Sequence, residues 1–435
     1  MPDTLTQALH YLRDLGQPDA LAACGLAFGH RPKVNAHIHL PPNFSAFTTV
    51  DEALTRAANE GVGVLGVSNY YDYAVYGDFV TLARQRRIFP LFGLEIIALD
   101  DKLVQNKIKV NDPGNPGKIY ICGKGITKIA PFSPEATRLL NIIRHADRTR
   151  MAAMVQRLED VFRAGGLPTG LTEAAVIDMV VRRHNVPRDR VYLQERHLCQ
   201  AFQEVLFEKV PADQRLAVLT RIYGIAPKAP ANAPVPVQNE IRSNLMKVGK
   251  PAYLPETFIA FPDALKLILE LGGIPCYPTL ADGAKPLSPF EDPPETLLQN
   301  LATWNIQMAE FIPARNTPEV LRRYVLAYRN AGLAVTAGTE HNTLDNLPIA
   351  PACLNGAPIP PDVQEIFWEG ACIVAAHQFL TLHGRCGFVD AAGQPNPAYR
   401  SASDRLAAFQ QLGEAVIATY HQKISNDQIP MTNYQ

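Results

Sequence analysis

Two histidines separated by one residue, His37 and His39, lie in the segment VNAHIHLPPN, between an apolar lead-in and a Pro-Pro pair. Residues two apart in a β-strand project to the same side, so one strand could present both imidazoles to a single metal ion. The other interpretation is a pair of hydrogen-bonding histidines with no ligand role. A motif this short does not decide between the two, so the rest of the chain must.

Acidic residues that could complete such a site occur twice. Glu95 interrupts the apolar segment FPLFGLEII, where a charge is rarely left without a partner. It is predicted to be a metal ligand, with a structural ion pair as the alternative. Glu340 and His341 follow the apolar segment LAVTAGT and are predicted to be, respectively, a ligand or general base and a catalytic residue. Neighbours on a strand face opposite ways, so both could serve one site only beyond the strand's end.

The elements that would position these residues follow an alternating pattern. From residue 33 to about residue 122, and again after residue 258, strand-like and helix-like segments alternate, which favours a parallel sheet of about seven strands. Helices are predicted to begin at Thr49, three residues before Glu52, and at Thr317, which precedes a proline. Such a pattern suits a doubly wound sheet or a barrel, and in a barrel the chemistry lies at the C-terminal ends of the strands.

Polar residues at nearly every predicted strand end would then meet at one mouth. Ordinary surface residues have no reason to occur in that register. Arg315 and Asn316 are candidate contacts for an anion. Besides the residues already named, the set comprises Asn69, Tyr70, Tyr120, Cys276, Tyr277, Glu310 and Asn342.

Between the two alternating regions the chain is helical in character. PEATRLLNIIRHADRTRMAAMVQRLEDVFRAGG predicts helix, and APKAPANAPVP is typical of a loop. We therefore predict an N-terminal helical extension, a barrel that includes the C-terminal helices, and a mostly helical insertion. The respective ranges are 1–32, 33–133 together with 258–435, and 134–257.

The order of these motifs resembles the PHP (polymerase and histidinol phosphatase) superfamily. The shared pattern is H-x-H, a polar pair after the second strand, G-x-E and a late G-[ST]-[DE], over roughly residues 33–345. The resemblance implies an α/β fold, a distorted TIM-like (β/α)7 barrel that binds two or three metal ions and hydrolyses phosphate esters. The insertion resembles the branch that acts on nucleoside bisphosphates and short oligonucleotides, through QERH at 194–197 and GKPAY at 249–253. It implies that His197 is a ligand and that Arg196 and Lys250 contact phosphate.

The chain departs from the family pattern at several ligand positions. Neutral phenol is a poor ligand because it must lose a proton whose pKa is near 10. The departures are Asn69-Tyr70 for the Asp-His pair, Tyr120 for the strand-four histidine, Tyr277 for the histidine of the AHP segment, and Glu340-His341-Asn342 for the final Asp-x-His.

The donors that remain suffice for one divalent ion with an open coordination position, predicted to be zinc or manganese, with iron as a further option. The predicted ligands are His37, His39, Glu95, Glu340 and His197. The substituting tyrosines are either core aromatics or, as we predict, pocket residues that donate hydrogen bonds to a substrate oxyanion. They are Tyr70, which is predicted to act in catalysis, Tyr120 and Tyr277.

Composition narrows the class of partner. The formal net charge is -1, so nothing favours binding to a nucleic-acid polymer or an acidic membrane. Seven dispersed cysteines without a C-x-x-C pair favour a reducing compartment, and no signal peptide or long apolar run is evident. We expect a cytoplasmic protein with a small-molecule substrate, and the oligomeric state is left open.

Three functional hypotheses follow. The first is a metal-dependent phosphoesterase that acts on a small phosphorylated or nucleotide-like substrate. The second is a non-catalytic, PHP-like ligand-binding protein with a degenerate metal site. The third is an amidohydrolase-like enzyme that uses a single metal ion.

Overall fold

A single barrel-shaped sheet forms the centre of the protein. The computed structural model describes residues 4–29, 31–284, 287–345 and 347–427. Within these ranges the sheet has eight strands, one of them a two-residue side strand. The strands are β1 (Lys33–Ile38), β2 (Val62–Val67), β3 (Phe89–Leu99), β4 (Lys118–Lys124), β5 (Ile259–Ala260), β6 (Ile274–Thr279), β7 (Met308–Phe311) and β8 (Ala334–Ala337).

Helices cover the outside of the sheet and fill the long connection between β4 and β5. None of the helices in the described ranges is both long and apolar enough to cross a membrane. The α-helices are α1 (Thr4–Arg13), α2 (Pro18–Cys24), α3 (Val50–Asn59), α4 (Tyr76–Gln85), α5 (Asp101–Gln105), α6 (Pro134–Ala164), α7 (Glu173–His184), α8 (Glu195–Lys209), α9 (Arg215–Tyr223), α10 (Pro234–Ile241), α11 (Phe261–Glu270), α12 (Pro294–Thr303), α13 (Pro318–Asn330), α14 (Pro361–Leu382) and α15 (Ala402–Asp427).

The order of the strands confirms the predicted TIM-like barrel. Neighbouring strands follow the sequence β1-β2-β3-β4-β6-β7-β8, and β5 pairs with the outer end of β3. The barrel nearly closes where β1 meets the segment after β8, through a bridge between Ile38 and Glu340. The amide of His39 donates to the Glu340 carbonyl at 2.8 Å in this bridge. The first histidine pair and the late acidic residue are thereby brought side by side.

One strand runs against the others, so the expectation of a wholly parallel sheet is wrong. β4 is antiparallel to both β3 and β6. Its connection from β3, residues 100–117, holds only the five-residue helix α5, whereas a parallel return usually runs through a full helix. The reversal places the start of β4, with Tyr120 opposite Ile97, near the mouth of the barrel. Lys124, at the other end of β4, lies deeper, opposite Gly93.

The predicted helix starts are confirmed by their capping hydrogen bonds. The Thr49 hydroxyl accepts from the backbone amide of Glu52 at 3.1 Å, and α3 follows. The Thr317 hydroxyl accepts from the amide of Val320 at 3.4 Å, and α13 begins with Pro318. These caps satisfy amides that the first helical turn leaves without an intrahelical partner.

The described side chains form two hydrophobic clusters. The larger surrounds the barrel and includes the N-terminal half of α6, with Leu139 and Ile143. The smaller runs from Met151 to Ala252 and holds the helices of the long connection together. Because α6 is one helix of 31 residues that contributes to both clusters, it ties the helical part to the barrel wall. The predicted domain boundaries, with their helical extension at 1–32, stay predictions.

Candidate metal centre

Strand alternation directs a set of polar side chains into the barrel. His37 lies in β1, His39 immediately follows it, and Glu95 lies in β3, each of them at most 4% exposed. Gly338, just after β8, allows this arrangement, since a Cβ there would lie 2.3 Å from the Cβ of His37. Only a residue without a side chain lets the chain pass so close to the first histidine. The H-x-H pair therefore points inward, as the sequence predicts.

Three donor atoms from these residues converge on one point. The Nε2 atoms of His37 and His39 lie 3.3 Å apart. The Oε2 atom of Glu95 lies 3.0 Å from Nε2 of His39 and 3.8 Å from Nε2 of His37. Ligands held about 2.0–2.1 Å from a tetrahedral zinc ion are separated by about 3.3–3.4 Å. The spacing of the two imidazoles therefore fits one small divalent ion.

The other ring nitrogen of His37 shows which of its atoms would be the ligand. Nδ1 of His37 lies 2.9 Å from Oε1 of Glu310, which is fully buried on β7. A carboxylate at Nδ1 holds the proton there and leaves Nε2 as a free acceptor. Nε2 of His37 then presents a lone pair toward His39 and Glu95. A carboxylate behind a histidine ligand is a common support in metal sites.

Electrostatics keep Glu95 ionised and Tyr70 neutral. Burial opposes ionisation of Glu95, but the hydrogen bonds with His39 and Tyr70 hold its pKa below the ordinary value. Burial, and then the charge of Glu95, raise the pKa of Tyr70 well above its usual range. Tyr70 therefore stays a phenol, hydrogen-bonds to Glu95 and stacks on the His39 ring at 5.1 Å. It fixes the orientation of two of the three donors.

A second group of potential ligands lies deeper and shares His37 with the first. Among the described residues, His37, Cys122 and Glu310 also have donor atoms within 4.8 Å of one another. Lys124 lies against this group, with its ammonium 2.6 Å from Oε2 of Glu310. Burial opposes the ionisation of Glu310, yet the charge of Lys124 and the hydrogen bond with His37 hold its pKa far below the ordinary value. Burial raises the pKa of the Cys122 thiol well above normal, so it stays protonated here.

A cavity of about 620 Å³ opens at the barrel mouth, and Glu95, one of the three donors, is part of its wall. The barrel contributes Glu95, Tyr70 and Tyr120 to its wall, and the helices of the long connection contribute Arg150 and Arg196. The cavity thus lies between the barrel mouth and the helical part. Its size suits a small-molecule ligand rather than a polymer.

Arg196 differs from the other cations that line this cavity. Among the described residues it has no hydrogen-bond or ion-pair partner, whereas Arg150 and Arg242 pair with Glu195 at 2.8 and 2.9 Å. Burial and then the charge of Arg242 lower the pKa of Arg196, but guanidinium remains charged at neutral pH. Arg196 is therefore a positive charge in the cavity wall that makes no direct ion pair with a carboxylate of the described residues.

Glu340 reaches the cavity but not the three donors. Its Oε2 atom pairs with Arg315 and accepts from the Asn342 side chain at 2.8 Å. It is not part of either candidate ligand group among the described residues. The structure therefore places Glu340 and Arg315 together on the cavity wall, as a pair, and does not bring Glu340 into the metal centre.

His341 lies next to Glu340 yet faces away. Both residues have a positive φ, 60° and 51°, so the strand has ended where they begin. The Nδ1 atom of His341 lies 2.7 Å from the Thr339 hydroxyl, Nε2 lies 3.1 Å from the Leu347 carbonyl, and the ring stacks on Phe47. With both nitrogens engaged outside the cavity, His341 is not placed where a catalytic group is needed.

His197 is likewise not brought to the metal centre. Its Nδ1 atom accepts from the backbone amide of Gln194 at 3.0 Å and so caps the first turn of α8. Its ring packs edge-on against Phe44 at 5.3 Å. Burial lowers the pKa of His197 to about 3, so the ring is neutral. The family resemblance implies that His197 is a metal ligand, but in this structure its Nδ1 atom caps a helix instead.

Three further predicted contacts lie away from the cavity wall. Lys250 is exposed, and Asn316 is fully buried, where its side chain donates to the Ile312 carbonyl and accepts from the amide of Asp282. Tyr277 is on the outer side of β6, because its neighbour Cys276 faces inward toward Glu310. Strand alternation therefore excludes Tyr277 from the barrel interior.

The hydroxyl of Tyr277 instead donates to Glu291, at 2.8 Å. Burial raises the pKa of Glu291 from 4.5 to about 7, although amide hydrogen bonds from Ala281 and Leu280 and the one from Tyr277 oppose the change. A buried acid with a raised pKa stabilises the fold while it is protonated. That contribution is complete below pH 4.5 and is lost as the pH rises through about 7.

We predict that Glu291→Gln weakens the pH dependence of stability. The wild-type free energy of unfolding should fall by roughly 3 kcal/mol more than that of the variant between pH 4.5 and pH 8. Denaturant unfolding of both proteins at several pH values measures this difference. Parallel curves for the two proteins would show that Glu291 does not titrate in this range.

The sequence predicts no role for Glu310 or Lys124, although Glu310 lies at a predicted strand end. The available signal was the segment KIYICGK, in which Tyr120, Cys122 and Lys124 share one face of a buried strand. A lysine on such a face requires a buried partner. Nothing in the sequence identifies that partner as a residue almost 190 positions later, since only the barrel brings β4 and β7 across from each other.

Comparison with known proteins supports the fold. No protein-family model and no curated protein matches the chain. A solved structure from Bifidobacterium adolescentis, of a protein inferred to be a metal-dependent phosphoesterase, matches 78% of this chain and 96% of its own, at 15% identity and a TM-score of 0.51. An amidohydrolase from Chromobacterium violaceum, solved with bound sulfate and no metal, matches 77% and 96% at 15% identity and a TM-score of 0.48. At this identity the likeness to the Bifidobacterium adolescentis structure concerns the fold alone.

Proposed function

We propose that this protein is a metal-dependent hydrolase that cleaves phosphate esters of small, nucleotide-like molecules. One divalent ion would be held by His37, His39 and Glu95. The observation that carries the proposal is the convergence of these three donors at a cavity lined by Glu95 and Arg196, a cation without a hydrogen-bond or ion-pair partner in the described ranges. The names of the two structural neighbours, a metal-dependent phosphoesterase and an amidohydrolase, fit a hydrolase of this kind.

Each group on the cavity wall has a task in this proposal. A divalent ion held by His37, His39 and Glu95 would supply a water of lowered pKa and a Lewis acid for a phosphoryl oxygen. Arg196 offsets the negative charge of the phosphate. Glu340 keeps one carboxylate oxygen on Arg315 and Asn342, which leaves the other to accept a proton. Tyr120, with the nearby ring of Phe258, offers an aromatic wall for a planar group such as a base.

A substrate screen with controlled metal content tests the proposal. The purified chain is treated with a chelator and dialysed, and is then assayed with added Mn²⁺ or Zn²⁺. Phosphate monoesters, nucleoside bisphosphates and short oligonucleotides are compared with amide and lactone substrates. Metal-dependent release of phosphate supports the proposal. Cleavage of amides or lactones alone would favour an amidohydrolase-like enzyme, and a folded chain that binds no metal would favour a ligand-binding protein.

We predict that Arg196→Ala weakens catalysis on phosphate substrates. A hydrogen bond to a charged group contributes about 1.5–3 kcal/mol, which corresponds to a roughly 10- to 100-fold fall in kcat/KM. The matched control is Lys250→Ala, because Lys250 is exposed and lies outside the cavity wall. Steady-state kinetics distinguish the two. Equal losses in both variants would contradict the role given to Arg196.

A further inference from the structure

We propose that the ammonium group of Lys124 occupies the place of a second metal ion and so limits the centre to one. This inference rests on the proposed function, because it concerns the same barrel site. It assigns to Lys124 a positioning role, exerted through Glu310 and His37. The ligand that this position would otherwise take is a divalent cation, and the positive charge of Lys124 excludes it.

The surroundings of Lys124 are those of a bound cation. Its Nζ atom lies 2.6 Å from Oε2 of Glu310, 3.2 Å from the Ala36 carbonyl and 3.3 Å from the Ser68 hydroxyl. The three oxygens match the three protons of an ammonium group. The side chain is only 3% exposed, so water does not compete for these oxygens. A small cation without a side chain would meet the same donors.

The residues around this point also include softer donors. Cys122 belongs with His37 and Glu310 to the deeper of the two candidate ligand groups in the described ranges. Removal of the Lys124 side chain would leave Glu310 with an uncompensated buried charge beside a thiol and two further oxygens. Oxygen and sulfur donors of this kind suit divalent ions such as Co²⁺ and Cd²⁺. We therefore infer that Lys124 prevents a second ion from binding beside Glu310 and Cys122.

The chemical consequence concerns His37. Glu310 accepts the Nδ1 proton of His37, and Lys124 neutralises the same carboxylate from its other oxygen. A fixed ammonium keeps Glu310 in place whether or not the outer ion is bound. The His37 ring therefore stays oriented for the outer ion without any need for a second one.

Metal stoichiometry in wild type and Lys124→Ala tests this inference. Both proteins are saturated with Co²⁺ or Cd²⁺, and bound metal is counted by native mass spectrometry and elemental analysis. We expect one ion in the wild type and two in the variant. Cobalt adds a spectroscopic readout, because coordination by Cys122 gives a thiolate-to-cobalt absorption band. That band should appear only in the variant and should vanish in Lys124→Ala/Cys122→Ser.

Lys118→Ala is the matched control. Lys118 is the other buried lysine of β4, but it pairs with Glu256 and Asp112 at the cavity wall. This variant should keep one ion and show no thiolate band. The wild type alone also tests the inference if Lys124→Ala fails to fold: a single ion without a thiolate band supports it, and two ions or such a band would overturn it.

The remaining outcomes separate this inference from the proposed function. One ion in both the wild type and a folded Lys124→Ala protein would overturn the inference and leave the proposed function standing. Two ions in the wild type would also overturn the inference, and the proposed hydrolase function would still stand. A wild type that binds no ion would remove the proposed function and this inference with it.

Discussion

The His39→Ala protein is expected to lose its metal ion on dialysis and to lose hydrolytic activity by roughly a thousandfold or more. The variant removes one of three donors, and His37 with Glu95 then offers too few ligands for a tight site. A metal ion contributes several kcal/mol to stabilisation of the transition state, and each 1.4 kcal/mol is tenfold in rate. Elemental analysis and an assay on the phosphate substrate identified by the screen measure the two losses.

The control for this prediction is His145→Ala, since His145 is an exposed residue of α6. It should keep both the metal ion and the rate. Circular dichroism establishes that each variant is folded before metal and activity are compared. A folded His39→Ala protein that retains a stoichiometric ion and full activity would contradict the assignment of the three donors.

The Glu310→Leu protein is expected to be destabilised by about 3–5 kcal/mol, because the variant leaves the buried ammonium of Lys124 without its counter-charge. The same substitution removes the carboxylate that holds the Nδ1 proton of His37. Loss of such support typically weakens metal affinity about 10- to 100-fold. Denaturant unfolding and metal titration measure the two effects separately, with unfolding carried out in chelator so that bound metal does not contribute.

A double variant distinguishes the two roles of Glu310. Glu310→Leu/Lys124→Met replaces the ion pair by apolar side chains of similar size and should recover most of the lost stability. It should not recover the metal affinity, because His37 still lacks its carboxylate. Recovery of both would show that Glu310 supports the centre only through general stability. Recovery of neither would show that the Lys124–Glu310 pair is not the origin of the destabilisation.

Much of the barrel could be predicted because its signals are local. Apolar segments such as VGVLGV bound the strands, and β2 occupies that segment from Val62 to Val67. Capping residues such as Thr49 and Thr317 fix helix starts within a few positions. The direction of β4 was not predictable from alternation alone, because alternation does not show whether the connection after β3 contains a full helix. In the structure that connection contains only a five-residue helix, whereas a parallel return usually runs through a full one.

In the candidate site, too, the residues with a local sequence signal were predictable, and those that depend on the fold were not. His37, His39 and Glu95 were predicted because each is a polar residue on an apolar strand, and strand periodicity alone sets their direction. The same periodicity could have excluded Tyr277 from the predicted pocket residues, since its neighbour Cys276 takes the inward position on β6. His197 was predicted from the family resemblance and His341 from its place after an apolar segment, yet helix capping and hydrogen bonding hold both side chains elsewhere. The Lys124–Glu310 pair needed the fold, because its partners are far apart in the chain.

The most direct test of the central claim is anomalous X-ray diffraction from crystals grown with Zn²⁺ or Mn²⁺, at the absorption edge of the added metal. We predict one strong anomalous peak, in contact with Nε2 of His37, Nε2 of His39 and the carboxylate of Glu95. A peak elsewhere, a second peak beside Glu310, or no peak in a saturated crystal would contradict a single-ion centre at the mouth of this barrel.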